Sequence, residues 1–554
     1  MQQPSLSVKD SDTALPDGAF ALSAAQRGIW FAQHVAGDTP ISIAQYVELN
    51  GPIDLDLLAR SARQAGREFG TGYLRLIEVE GHPFQFVDTT LDDNLETLDF
   101  RSEPDPEAAA RAWMRAEYEA PLELTRDRLV RIAMLRVGAQ RWFWYSRIHH
   151  IVLDGMGALT MVQRTGELYN AAVEGREAPP AKAEDLRKIV EAELAYRGSE
   201  RFGTDREHWL AHLDGMADPV SLAGRTAGVN GHPSRVAGAL PADTARLLDA
   251  VAEQLSSGVA PTVVAAFGAY LSAMTGSPEV VLSLPVSART TATLRRSGGM
   301  IANVVPLRLR LTPATTVGDV IRAAQSELTG ALRRQRYRQE DIFRDLGWPM
   351  DEAGSFGPTV NLMMVDTRIQ LGPVTGRLHV LTSGLIDDLF VNLYPGVGGE
   401  STHIDFQANG NLYSDAELTG QHRRFLSFLH RFLAAGPDAP LAGVSVLSDD
   451  ERADFAPARG PLGETARTLP SILAEGAARD PLATALVEDE TALTYRQVDD
   501  YTNRLARMLI AAGAGPERTV AISIPRSLRS VLATIAVVKT GAAFVPIDPT
   551  YPAD

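Results

Sequence analysis

The residues of this chain best suited to chemistry are two adjacent histidines followed at fixed spacing by an aspartate and a glycine: His149, His150, Asp154 and Gly155 in HHxxxDG. A neutral imidazole titrates near neutral pH, so one of the pair is placed to act as a general base or proton relay. Asp154 is close enough in sequence to orient that imidazole or to fasten the loop by a salt bridge, and Gly155 lets the backbone turn. On an extended strand neighbouring side chains point to opposite faces, so both histidines reach one pocket only where the strand has ended. That geometry argues against a metal site, which wants converging ligands. The plainer alternative makes both rings structural, satisfied by hydrogen bonds at a strand end. His208 and His212 in EHWLAH share a helix face but lack a third ligand or an HExxH glutamate, and read as a solvated face. Gly155 and Gly157 in GMGALT lack the third glycine of a dinucleotide fingerprint. With no Gly-x-Ser-x-Gly elbow nearby, direct transfer between two bound substrates is the simpler chemistry.

The elements that must position these residues are legible around them. RWFWYSRIHHIV is rich in aromatic and β-branched residues and predicts a strand. GMGALTMVQRTGELYNAAVEG, with Leu159, Val162 and Tyr169 at helical spacing and a closing glycine, predicts a helix after it. Upstream, SAAQRGIWFAQHV predicts a capped amphipathic helix in which Ser23 and Gln26 serve capping and packing. Residues 180–198 turn to Glu, Lys and Ala, as a solvated connecting helix would. VVLSLPV, NVVPLRLRL and PTVNLMMVD then read as strands, and TVGDVIRAAQSELTGALRRQ as a helix, in a second α/β unit. An acidic, Pro/Gly-rich stretch reads as a linker. Beyond it LTYRQVDDYTNRLARMLIAAG predicts a helix with Val498, Tyr501, Leu505 and Met508 on one face, and TVAISIP and AAFVPID read as buried strands flanking another helix.

Composition narrows the function classes. The chain has 554 residues, 53 Lys+Arg against 69 Asp+Glu, a net charge of −16, and no cysteine. Without sulfur there is no disulfide scaffold, thiolate zinc site or cysteine nucleophile. The acidic balance argues against a nucleic-acid partner. The start, MQQPSLSVKDSDTALPDGAF, has no apolar core after a basic segment, and no run of about 18 apolar residues occurs, so no membrane role is expected and the protein reads as soluble and cytoplasmic.

Taken together, HHIVLDG, the early SAAQRGIWFAQ and the later GMIANVVPLRLRL resemble, in the family's order, the condensation domains of non-ribosomal peptide synthetases. The resemblance covers roughly residues 19–448. QRYRQEDIFRDLG, FGPTVNLMMVD and SGLIDDL look most like the first condensation domain of enterobactin- and bacillibactin-type siderophore synthetases, which couple an aryl group to an amino acid. LTYRQVDD and VVKTGAAFVPIDPTYP are similar to the first two motifs of an adenylation domain. The resemblance implies an α/β fold of two chloramphenicol-acetyltransferase-like lobes in a V-shaped pseudo-dimer with a tunnel between them. The expected division is a flexible tail at 1–18, an N-lobe at 19–180, a C-lobe at 181–448, a linker at 449–468 and a truncated adenylation segment at 469–554, unable by itself to adenylate.

By the same resemblance, the domain binds no cofactor itself; carrier proteins deliver thioesters on phosphopantetheine arms, and the acceptor amine attacks the donor thioester. His150 takes the family's catalytic position, as general base or as a group holding the amine. Arg289 in LPVSAR is the expected salt-bridge partner of Asp154, and Asn303 is expected to hydrogen-bond near the tunnel or to be a buried strand-end amide. REFGTGYLRL matches a further family segment only loosely and carries no functional residue. Because the chain opens with this domain, the donor is expected from a separate aryl or acyl carrier protein, or as a free acyl thioester, and the acceptor on a downstream peptidyl carrier. Two other readings are a starter domain loading a fatty acyl chain and an inactive domain that recruits a partner.

Overall fold

Side chains able to bond free backbone amides sit at the helix starts, and apolar runs mark the strands. The structure is a computed structural model that describes residues 15–91, 95–228, 233–348, 355–364, 366–394, 396, 401–455 and 466–550. Of the expected tail and linker, residues 1–14 and 456–465 lie outside the described residues. The chain divides into two compact units, Met1–Arg452 and Ala453–Asp554.

The first unit runs through β1 (Phe20–Ala21), α1 (Ala24–Ala36), β2 (Ser42–Asn50), α2 (Leu55–Phe69), β3 (Leu74–Val79), β4 (His82–Val87), β5 (Glu96–Asp99), α3 (Pro106–Glu119), β6 (Val130–Arg136), β7 (Arg141–His149) and α4 (Gly155–Val173). Next come α5 (Arg187–Arg197), α6 (Glu200–Leu213), β8 (Ser234–Ala239), α7 (Ala242–Gln254), α8 (Val259–Thr275), β9 (Glu279–Val286), α9 (Ala292–Arg295), β10 (Asn303–Arg310), α10 (Val317–Arg333) and α11 (Gln339–Leu346). They are followed by β11 (Thr359–Leu362), β12 (Arg368–Leu371), β13 (Val374–Ser383), β14 (Leu389–Tyr394), β15 (His403–Ala408) and α12 (Asp415–Ala434).

Two mixed six-stranded sheets organise this unit. The first has the order β12-β13-β2-β7-β6-β5. In β7, Trp142 through His149 are all buried, a continuous run rather than an alternation, because helices cover both faces of its sheet. Leu58 of α2 and Leu159 and Val162 of α4 pack on Val47, Trp142 and Trp144, while Ala110 and Met114 of α3 pack on Tyr46, Phe143 and Tyr145. The second sheet, β10-β9-β11-β14-β15-β8, packs one face on α7, α8, α10 and α12 through residues such as Leu248, Phe267, Ile321 and Phe425.

The β12–β13 hairpin follows β11 of the second sheet in sequence, yet β13 pairs antiparallel with β2 of the first. A division of the chain at a single residue does not describe this exchange. The connecting helices are not merely solvated: α5 buries Ile189 and Tyr196, and α6 buries Trp209. Among the described residues no single helix is long and apolar enough to cross a membrane.

In the second unit the helix Tyr495–Ala511 buries Val498, Thr502 and Ala506. The apolar face predicted with Tyr501 and Met508 is rotated, and those two side chains are exposed. Thr519–Ile522 and Ala543–Pro546 pair in parallel, but the second of these strands is exposed at every position, contrary to the expectation of buried strands.

Candidate active site

The strand β7 ends at His149, and this is what separates the roles of the two imidazoles. His149 is fully buried and every polar atom is committed. The Ile151 N–H donates to its Nδ1 at 3.2 Å, so the ring proton is on Nε2, which donates to Gln33 Oε1 at 2.9 Å. Gln33 is held in turn: Oε1 also accepts from the Ile41 amide, and Nε2 donates to the carbonyls of Gly37 and Thr39. Burial, with His150 and Arg147 as nearby charges, pushes the His149 pKa down to about 3.

His150 lies one residue past the strand, anchored by its N–H to the Ile41 carbonyl at 2.8 Å. Its Nε2 is 3.1 Å from the Ser383 carbonyl, which can only accept, so Nε2 carries the proton. Nδ1 is therefore bare, and it is buried without a partner. Burial lowers the pKa of this ring below the usual histidine range despite the opposing effects of the Ser383 carbonyl and Asp154. A register shift between Val380 and Thr382 marks a bulge in β13 just before Ser383, the device by which a strand end is re-aimed. The next residue, Gly384, has φ +99° and would place a Cβ 3.2 Å from His150 Cδ2, so both conformation and space call for glycine.

Asp154 does not touch either imidazole by hydrogen bond. Its Oδ1 accepts from the Gly157 amide at 2.9 Å and so starts α4. Its Oδ2 accepts from Arg289 Nη1 at 2.7 Å and from the amides of Ile301 and Ala302 at 2.9 and 2.8 Å. Burial alone would raise this carboxyl, but Arg289 and the amide donors hold it below the usual range. Arg289 also donates to the carbonyls of Ser287, Ser297 and Gly299. The ion pair thus ties the β7–α4 turn of the first sheet to the loop before β10 of the second.

Gly155, expected to permit the turn, has no positive φ, and a Cβ there would meet nothing within 4 Å. The glycine that packing demands is Gly157, where a Cβ would lie 2.5 Å from the Gly298 carbonyl. Asn303 donates to the carbonyls of Gln335 and Tyr337 and accepts from the Gln339 amide, so it pins that segment to the start of β10. Gln26 reaches the Ile151 carbonyl at 2.9 Å and forms a reciprocal amide pair with Gln85. The structure therefore gathers His149, His150, Asp154 and Arg289 at one junction and leaves only His150 with a free ring nitrogen. His149, Asp154 and Gly155, expected in the catalytic set, are positioned as supports or as open space. Gln33 and Ser383 were not anticipated; Gln33 sits at a helical position with nothing local to mark it, and Ser383 acts through its backbone.

The family model for the condensation domain matches residues 17–456. The chain belongs to the condensation-domain family of nonribosomal peptide synthetases. A second model, for AMP-binding enzymes, matches residues 473–554. A dimodular nonribosomal peptide synthase of Bacillus subtilis (strain 168) is 34% identical over 544 residues, covering 97% of this chain and 23% of that protein. Enterobactin synthase component F of Escherichia coli O157:H7 is 30% identical over 549 residues, covering 96% and 42%. The chain thus spans less than half the length of these relatives. A crystal structure of the starter condensation domain of rhizomide synthetase, in complex with C8-CoA and Leu-SNAC, superposes with TM-score 0.73 at 33% identity over 78% of this chain and 98% of that one. The condensation domain is the amide-forming unit of these synthetases and acts on carrier-bound substrates, and the two six-stranded sheets with their helices match its mixed α/β fold.

Proposed function

We propose that the domain joins an aryl or acyl donor thioester to an aminoacyl acceptor, with each substrate on the phosphopantetheine arm of a carrier protein. The observation that carries this reading is the bare, buried Nδ1 of His150, held in one tautomer by the Ser383 carbonyl. That nitrogen accepts an N–H of the acceptor amine and aims the amine's lone pair at the thioester carbon. As the C–N bond forms and the C–S bond breaks, the nitrogen's proton passes through the imidazole to the departing sulfur, giving an amide and a free thiol. Help of this kind is worth about 10²–10⁴-fold. A lowered pKa keeps the ring neutral and makes it a weak base, so orientation carries much of the rate; oriented pairs reach effective molarities of about 10⁵–10⁸ M.

The likeness to enterobactin synthase component F supports an aryl donor and a place in catechol-siderophore assembly. A fatty acyl donor is the second reading, favoured by the likeness to a starter condensation domain crystallised with C8-CoA. The test offers aryl- and octanoyl-loaded carriers with an aminoacyl-loaded acceptor and follows products by mass spectrometry. Amide from the aryl set supports the first reading, amide from the octanoyl set alone supports the second, and product from neither refutes both. Unchanged product with His150→Ala removes the role given to that side chain.

A further inference from the structure

In the second sheet, strand alternation separates two kinds of face. Val391, Leu393, Ile404 and Phe406 point into the core shared with α8 and α12. Asn392, Asp405 and Gln407 therefore point the other way. An apolar face would be the ordinary content of a buried surface, yet these three polar residues are only 1%, 3% and 1% exposed. They form one patch: Asn392 pairs with Asp405 across β14 and β15, Gln407 is two residues along β15 from Asp405, and Asn361 of β11 donates to Asn392 Oδ1 at 2.9 Å. Arg235 of β8 bonds Asp405 Oδ2 at 2.8 Å and the Val380 carbonyl of β13 at 2.6 Å.

The patch is short of partners. Gln407 Nε2 and Oε1, Asn392 Nδ2 and Asp405 Oδ1 are all buried without a hydrogen bond. Native proteins pair the large majority of such groups, so four unpaired groups in one patch are open to a partner from outside the chain. In sequence, β14 follows closely on the site: β13 ends at Ser383, whose carbonyl holds His150, and residues 384–388 lead from there into β14.

We propose that this patch seats an uncharged hydroxyl- or amide-bearing group of the substrate. Gln407 offers it one donor and one acceptor, Asn392 a donor and Asp405 an acceptor. The proposal rests on the amide-forming reading and adds to it the class of substrate: one that carries hydrogen-bonding groups beyond its thioester, on the donor's acyl head or on the acceptor's side chain.

The test compares matched pairs of pantetheine thioesters on the full chain: benzoyl with 2,3-dihydroxybenzoyl, octanoyl with 3-hydroxyoctanoyl, and, at fixed donor, leucyl with glutaminyl acceptors. Gln407→Met and Asn392→Leu keep the extent and branching of the side chain and remove the amide bonding groups. The expected result is a tenfold or greater fall in kcat/KM for the hydrogen-bonding member of a pair while its apolar member is unchanged or improved. A loss within the donor pairs assigns the patch to the acyl head, and a loss within the acceptor pair to the side chain. Equal losses across every pair, as a seat for the pantetheine arm would give, overturn the proposal, and so does no loss in any. Aryl thioesters that fail while octanoyl ones react refute the aryl donor alone, because the octanoyl pair still reads the patch. Calorimetric affinities of non-reacting amide-linked analogues give the same comparison without turnover, and affinities that do not separate the pair members overturn it.

Discussion

Removing the carboxylate of Asp154 is expected to damage the first unit far more than a surface substitution would. Asp154 and Arg289 are 2% and 8% exposed. In Asp154→Ala the guanidinium keeps its carbonyl partners but loses its countercharge, and the amides of Gly157, Ile301 and Ala302 lose their acceptor. Breaking a buried ion pair by removing one partner costs about 3–5 kcal/mol. Loss of an N-cap adds about 1 kcal/mol. Arg289→Ala leaves the cap intact, so its expected cost is the first figure alone, about 3–5 kcal/mol. The double variant removes both charges and is expected to fall short of the sum of the singles by at least about 2 kcal/mol, since the sites are in contact. Urea unfolding followed by tryptophan fluorescence isolates the right unit, because Trp30, Trp113, Trp142, Trp144, Trp209 and Trp348 all precede residue 453. Two singles that each cost under about 1 kcal/mol and add without coupling would refute the reasoning.

Three further outcomes follow from the site. His150→Ala is expected to lower kcat by about 10²–10⁴-fold with little change in urea midpoint, checked by product formation and unfolding on the same preparation. Gln33→Leu strands the His149 Nε2–H and the Ile41 amide and is expected to lower kcat, with Gln33→Glu restoring only part of it, because it keeps the acceptor but sets its second oxygen against the Gly37 and Thr39 carbonyls. The His149 pKa is depressed in the folded state, so the unfolded chain binds the extra proton first. Stability from that ring is full above the unfolded value of about 6.5 and falls as pH drops toward the folded one, at about 1.4 kcal/mol per pH unit. A His149→Gln variant should show a shallower loss between about pH 6 and 4, and an unchanged slope would exclude this source.

Much of the catalytic neighbourhood is written locally. The aromatic run ending in HH predicts the end of β7, and the Asp-Gly that follows predicts the start of α4, because strand period and helix caps depend on residues within a few positions of each other. The rotated face of the helix Tyr495–Ala511 shows the limit of such reading: several apolar residues were available, and packing selected Val498, Thr502 and Ala506.

The sequence by itself determined the family, the pair of α/β lobes, and His150 as the residue to watch. Only the tertiary structure decided which nitrogen of His150 is bare, because the carbonyl that takes its other proton belongs to a residue 233 positions away, on a hairpin that crosses to the first sheet. The same holds for His149, whose tautomer depends on a glutamine 116 positions away, and for Asp154, whose countercharge is 135 positions away. Local propensity reports the elements; a proton's place is set by whichever acceptor the folded chain brings within hydrogen-bonding distance, and that is a property of packing between elements.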